Sequence, residues 1–285
     1  MKYKVYKKGE FAMKKFVDYK KWNFVICYIV VVALFSIGFV NYSVRLYKIE
    51  SVNATNVSTK KINWGIKRNN NHAQPDVGTE NKKILEENSG ICLGNNEKKY
   101  IYLTFDEGYE AGYTKSILET LNQNNVNATF FITAHYLNTE PELVKQMIDE
   151  GHIVGNHTVN HKSMPTLTNE QITNEVMELH QAIYTKFNYE MIYLRPPMGE
   201  YSEKSIKACN QLGYKTVMWS FAYVDWNEKK QPNENEAKKI ILDNIHNGEI
   251  MLLHGNSKTN TNILDDIIKQ IKNDGYEFRS LDQFE

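Results

Sequence analysis

Cysteine is scarce: the 285 residues contain only Cys27, Cys92 and Cys209. None belongs to a CxxC pair or a Cys/His cluster, which excludes a zinc finger and a disulfide framework. Cys92 and Cys209 are open to pairing, but the plainer reading is two separate buried thiols, because free cysteine behaves as a small hydrophobe. Net charge is also lacking, with 34 Lys and Arg against 34 Asp and Glu. No basic stripe marks the part that reads as folded, so nucleic acid is not an expected partner. Six prolines and 15 glycines are too few for a fibrous or low-complexity chain. No internal repeat is visible.

What is present is enough apolar residue, 41%, for one sizeable domain and an appendage. The balanced charge is unevenly spread. Eight lysines against Glu10 and Asp18 precede Trp22, and no charge lies between Trp22 and Val44. That apolar run would measure about 35 Å as a helix, enough to cross a bilayer. Lys14, Lys15, Lys20 and Lys21 on one side outweigh Arg45 and Lys48 on the other, which predicts a cytoplasmic N-terminus and an extracytoplasmic remainder. The run is long for a signal peptide and no small-x-small cleavage site follows, so an uncleaved single-pass anchor in the cell membrane is expected. The resulting plan is a cytoplasmic basic segment at 1–21, an anchor at 22–44, a polar linker and N-terminal extension at 45–98, and a folded domain at 99–285. Trp64 and Ile66 hint at a docking segment within the extension.

From Lys99 onward, short apolar strands alternate with amphipathic helices. Strands are predicted at Lys99–Phe105, Ala128–Thr133, His152–Asn156, Ile192–Leu194, Thr216–Ser220 and Ile250–His254. Helices are predicted at Tyr113–Asn124, from Pro141, and at Asn169–Lys186, Ser202–Leu212, Glu236–His246 and Asn262–Asn273. Such alternation predicts an α/β fold with a parallel sheet, here a distorted (β/α) barrel of about seven units. Chemistry in a barrel sits at the C-terminal ends of the strands. Asp106-Glu107, Thr133 to His135, His157 and His161, Arg195, Asp225 and His254 all fall there.

His157 and His161 stand four apart, a spacing that lets two imidazoles converge on one ion. Two His and one carboxylate leave an open position for water, the pattern of a catalytic zinc. Alone, the pair also reads as two surface histidines. Asp106 and Glu107 are consecutive strand residues and point to opposite faces. They share a pocket only if the chain turns, which Gly108 permits. In that case one serves as base and the other as ligand; otherwise they begin a solvated loop. Arg195-Pro196-Pro197-Met198-Gly199 is a stiff loop whose Arg suits a carboxylate. Asp225-Trp226 and Leu252-Leu253-His254 complete the set, although a lone His at a strand end is more often packing. The other histidines, His72, His135, His152, His180 and His246, read as structural or surface.

Together, TFDEG (104–108), HTVNH (157–161), RPPMG (195–199), DW (225–226) and LLH (252–254) resemble the polysaccharide deacetylase family, the family 4 carbohydrate esterases. The resemblance implies metal-dependent hydrolysis of N-acetyl groups on peptidoglycan glycan. It implies Asp106 as base, Arg195 as its orienter, His254 as acid and Asp225 as the group tuning that acid. It further implies Glu107, His157 and His161 as ligands of a divalent metal, with zinc the expected ion. Trp226 and Leu252 would line the acetyl pocket, and the Met198 N–H would face the oxyanion. TFDEGYEAGY, WSFAYVDW and the region from Asn63 to Pro75 are similar to the subgroup that forms muramic δ-lactam in spore cortex. That likeness implies N-acetylmuramic acid as substrate and an amidase acting first to remove the stem peptide. N-acetylglucosamine in peptidoglycan or chitin-like oligomers is the alternative substrate, and a glycan-binding pseudoenzyme the non-catalytic alternative. Two positions depart from the family pattern. Glu107 stands where most members have Asp and the δ-lactam subgroup Asn, and Ala222 stands where an Asp is common.

Overall fold

The computed structural model describes residues 57–285. The expected basic segment and membrane anchor lie outside them. Among the described residues no helix is long and apolar enough to cross a membrane. The stretch read as a linker carries structure from residue 57. It forms the short strand β1 (Ile62–Asn63) and a helix at Thr79–Glu87 that buries Ile84 and Leu85.

Eight further strands follow: β2 (Tyr100–Glu107), β3 (Thr129–Ile132), β4 (Ile153–Asn156), β5 (Tyr193–Leu194), β6 (Glu200–Tyr201), β7 (Lys215–Thr216), β8 (Glu249–His254) and β9 (Glu277–Phe278). β1 pairs with β6, antiparallel. The others form one parallel sheet in the order β7-β5-β4-β3-β2-β8, with β9 also on β2. Helices alternate with the strands as the periodicity predicts. The longest, Asn169–Phe187, starts in a Thr168–Gln171 capping box and stops at Asn188, whose φ of 52° is left-handed. The result is an α/β fold with a curled, half-barrel parallel sheet.

β7 and β8 are the end strands of this sheet. The expected strand Thr216–Ser220 is cut short because the chain leaves β5 after Thr216 and crosses the gap. On the way it makes single bridges, Ile91 to Val217 and Phe221 to Met251. This seam bears on the site below.

Strand pleating sorts the side chains into two layers. Ile101, Leu103 and Phe105 of β2 face the helices, where Phe105 stacks on Phe130 with ring centroids 5.2 Å apart. Tyr102 faces inward with Phe131, Tyr193, Val217 and Ile250. Gly155 of β4 is inward too, where an added Cβ would lie 2.5 Å from the Phe131 ring. Inward positions continue, two residues on, into Asp106, His157, Arg195 and Trp219, and along β8 into Leu252 and His254. Cys92 and Cys209 are separate buried thiols, each raised to about 12 by burial, chiefly loss of water around the thiolate.

Candidate active site

A cavity of roughly 1010 Å³ opens over the C-terminal ends of the strands. Asp106, His157, His161, Met198, Trp226, Leu252 and His254 line it. The register explains the meeting of residues far apart in sequence: Asp106 lies opposite His254 across the β2–β8 ladder. Arg195, fully buried, donates from Nη1 to Asp106 Oδ1 at 2.7 Å. Its Nε donates to the Val217 carbonyl, and its guanidinium lies 4.2 Å from the Phe131 ring centroid. A buried guanidinium fixed on three sides has one orientation, so the carboxylate it holds is fixed as well. Burial pushes the Asp106 carboxyl up, but Arg195, His157 and His254 outweigh it and hold it below the ordinary range. Asp106 is therefore a carboxylate, ready to accept a proton.

His157 donates from Nδ1 to the Arg195 carbonyl at 2.8 Å. That bond sets its tautomer and leaves the Nε2 lone pair facing the cavity. The Nε2 atoms of His157 and His161 are 3.1 Å apart, and Asp106 Oδ2 lies 3.6 Å from His157 Nε2. Burial lowers both imidazoles, His157 to about 4, so both are neutral at pH 7. Neutral imidazoles whose Nε2 atoms approach this closely are what a metal ion requires.

On the opposite rim, His254 Nδ1 is 2.7 Å from Asp225 Oδ1. Asp225 is fully buried, and its Oδ2 accepts from the His254 backbone N–H and from Asn260 Nδ2. Burial works against the charged ring, but Asp225 and then Asp106 more than compensate, so the His254 pKa is raised. Replacing Asp225 with Asn removes that compensation. Activity that needs protonated His254 is lost as pH rises through its pKa. We expect the alkaline limb of the Asp225→Asn pH profile to move to lower pH by about one unit or more. A limb that stays in place would separate Asp225 from this role.

A carboxylate base, an acid on the facing rim and two neutral imidazoles suit hydrolysis of an amide. Residues 93–217 match the polysaccharide deacetylase family model. An uncharacterised 30.6 kDa protein of Geobacillus stearothermophilus is 44% identical over 227 residues, 79% of this chain and 86% of that one. The peptidoglycan-N-acetylmuramic acid deacetylase PdaA of Bacillus subtilis is 42% identical over the same shares. The chain belongs to the polysaccharide deacetylases. The solved structure of B. subtilis PdaA, a family 4 carbohydrate esterase, superposes with a TM-score of 0.78 and 42% identity, covering 80% of this chain and 98% of that chain. A peptidoglycan-N-acetylglucosamine deacetylase of Bacillus cereus is 33% identical over 186 residues, 64% of this chain and 86% of that one.

Family 4 deacetylases are metalloenzymes, and the donor set here fits an ion in part. Two ligands at 2.0–2.1 Å in tetrahedral geometry lie about 3.3 Å apart, close to the separation of the two Nε2 atoms. Glu107, expected as the third ligand, is placed elsewhere. It does not line the cavity, and among the described residues no group of three or more His, Cys, Asp or Glu stands close enough to hold an ion. The reason is the pleat: β2 stays extended through Glu107, so the turn at Gly108 comes one residue too late. Asp106 takes the inward face and Glu107 joins the parity of Ile101, Leu103 and Phe105.

There Glu107 is fully buried. Its Oε1 accepts a long 3.5 Å bond from Thr114, and its Oε2 has no partner. It fills the space over Gly255, where an added Cβ would lie 1.9 Å from Oε1. Burial, then Glu110 and Asp106, push its pKa well above the usual range, which favours the neutral acid. A neutral amide of the same shape should replace it. We expect Glu107→Gln to keep its metal content and to keep kcat/KM within about threefold, under ~0.7 kcal/mol. The raised pKa means that wild-type stability falls as pH climbs above the unfolded carboxyl value. The Gln variant escapes this loss, so its Tm should gain on the wild type between pH 5 and pH 8. Loss of bound metal on this substitution would restore Glu107 as a ligand.

Of the expected pocket residues, Leu252 is buried, whereas Trp226 is 53% exposed at the mouth. Met198 has a φ of 60°, a left-handed strain fixed by the stiff loop. Sequence reading missed Tyr109, His135, Trp219, Tyr223 and Asn256, which also line the cavity. Asn256 Nδ2 donates to the Tyr109 hydroxyl and to the Trp226 carbonyl, joining both sides of the mouth. Tyr109, Trp219 and Tyr223 carried a signal, since they fall inside TFDEGYEAGY and WSFAYVDW, and Trp219 also shares inward parity with Val217.

Proposed function

We propose that the chain removes the N-acetyl group from N-acetylmuramic acid in peptidoglycan, on the way to the muramic δ-lactam of spore cortex. The observation that carries this reading is the pairing of an Arg195-held Asp106 carboxylate with an Asp225-bound His254 across one cavity, in a chain 42% identical over 227 residues to an N-acetylmuramic acid deacetylase. A divalent ion, which we take to be zinc, would be held by His157 and His161, and when bound would polarise the acetamide carbonyl and acidify water. Asp106, aimed by Arg195, takes the proton of the attacking water. The Met198 N–H faces the developing oxyanion. His254, held charged by Asp225, gives its proton to the departing amine, which is otherwise a poor leaving group. Leu252 and Trp226 hold the acetyl methyl. Acetate leaves, and the freed amine closes onto the lactyl carboxyl once an amidase has removed the stem peptide. We place this chemistry outside the cell membrane, on a domain tethered by the apolar run 22–44.

N-acetylglucosamine is the second reading, favoured by the B. cereus relative at 33% identity. Mass spectrometry of products from peptide-free and peptide-bearing strands separates the two. Loss of acetyl from muramic acid in peptide-free strands is the expected result. Loss from glucosamine alone would overturn the substrate proposed.

A further inference from the structure

We propose that the N-terminal strap, centred on Trp64, is a positioning element of the active site that sets the size of the acyl group accepted. The inference rests on the deacetylase reading above and extends it to residues outside the catalytic motifs.

The strap lies over the seam between the end strands β7 and β8. In a closed barrel, ladder bonds would hold the wall at this point. Here the wall runs through Val217–Phe221 and is held to the sheet by isolated bridges and a few backbone hydrogen bonds, to Leu194, Ile250 and Leu252, rather than by a continuous ladder. The strap supplies further bonds. Trp64 donates its backbone N–H to the Gly199 carbonyl at 2.8 Å and its indole Nε1–H to the Trp219 carbonyl at 2.9 Å. Arg68 Nη2 donates to the Ala222 carbonyl at 2.6 Å, with its guanidinium 5.4 Å from the Phe221 ring centroid. Gly199, Trp219 and Ala222 all line the cavity. The strap thus grips the cavity wall from behind, by its backbone, at three points.

Packing ties the same points together. Trp64 is 8% exposed, and β1 just before it pairs with β6 just after Gly199. A Cβ added to Gly199 would lie 2.7 Å from Trp219 Cη2 and 3.2 Å from Trp64 Cβ. The loop bearing Met198 is therefore closed between the two indoles with no slack. Lower down, His72 bonds the Ile245 carbonyl, and Gln74 Nε2 donates to the carbonyls of Gly94 and Asn247. These contacts anchor the far end of the strap. If the strap loosens, the Gly199–Trp219–Ala222 wall retreats and the cavity widens.

The test compares turnover of N-acetyl and N-propionyl groups on the same chemically re-acylated peptidoglycan glycan, using the full chain. A ratio of two substrates does not depend on how much of the enzyme is folded, so a merely structural role leaves it unchanged. One methylene in an apolar pocket is worth about tenfold or more. We expect the wild type to prefer acetyl and Trp64→Ala to lose about tenfold of that preference. Trp64→Phe, which keeps the ring and the backbone N–H but not the indole donor, should lose part of it, as should Arg68→Met. Ile271→Val, in the helix Lys258–Asn273, should lower Tm and leave the ratio alone. If Trp64→Ala does not fold, Trp64→Phe and Arg68→Met carry the test. Ratios within about twofold of wild type in these variants overturn the strap proposal while the deacetylase reading stands. A wild-type chain that releases neither acyl group overturns both.

Discussion

Asp106→Asn is expected to cut kcat on N-acetylated glycan by about 10²–10⁴, the range for loss of a general base, with little change in KM or Tm. Asn retains an oxygen to accept from Arg195 Nη1, so the bond now measured at 2.7 Å, and the packing around it, can persist. What is lost is the charge, and with it the ability to take a proton from water. The carboxyl is held below its ordinary range by Arg195, His157 and His254, which together outweigh its burial. The acid limb of the wild-type profile should therefore lie low. Arg195→Met tests the same point from the other side. It leaves the buried carboxylate without its partner, and a broken buried pair costs about 3–5 kcal/mol, so here stability should fall along with turnover. Retained turnover in Asp106→Asn would remove this residue from the proton transfer.

The second large effect is expected from the imidazole pair. His157→Ala and His161→Ala should each weaken metal binding more than about a hundredfold, since even outer-shell partners of a metal site are worth 10–100-fold. Turnover should follow the metal content. The two variants should differ in stability. His157 is 3% exposed and tied to the Arg195 carbonyl, so its loss opens a buried site next to the guanidinium. His161 is less buried and held through its backbone N–H on Thr158. His157→Ala should thus show the lower Tm of the two. Elemental analysis after dialysis, together with acetate release, checks both statements. Full metal content in either variant would mean that the 3.1 Å approach of the two Nε2 atoms is incidental.

Much of this site was legible in the sequence because the barrel rule and the strand pattern act locally. Each of Asp106, Arg195 and His254 ends an apolar run, and the runs pair in parallel register, so their ends meet. Glu107 was the exception. The alternation Ile101, Leu103, Phe105 already assigned it to the helix-facing parity, but Gly108 also allowed a turn that would have brought it inward. Whether a strand runs one residue further is decided by its neighbours, here the pairing of Glu107 with Ile132 on β3. Nothing in the local sequence records that. The seam was equally hidden. Thr216–Ser220 has the composition of a strand, yet Val217 bridges Ile91 whereas Phe221, just past its end, bridges Met251, two partners more than 150 residues apart. The strap was legible only in part: Trp64 and Ile66 hinted at docking, but their polar surroundings did not say where, because the partners of Trp64 and Arg68 are carbonyl groups, which carry no side-chain signature.

The account turns on one reaction at one cavity, and the most direct measurement counts its two products. Purified full chain is incubated with metal and N-acetylated peptidoglycan glycan, and released acetate and newly formed amine are counted in the same sample. The account predicts equimolar acetate and amine from the wild type, and neither above background from Asp106→Asn. Absence of both products from the wild type on every glycan offered, or equal yields from the two chains, would contradict it.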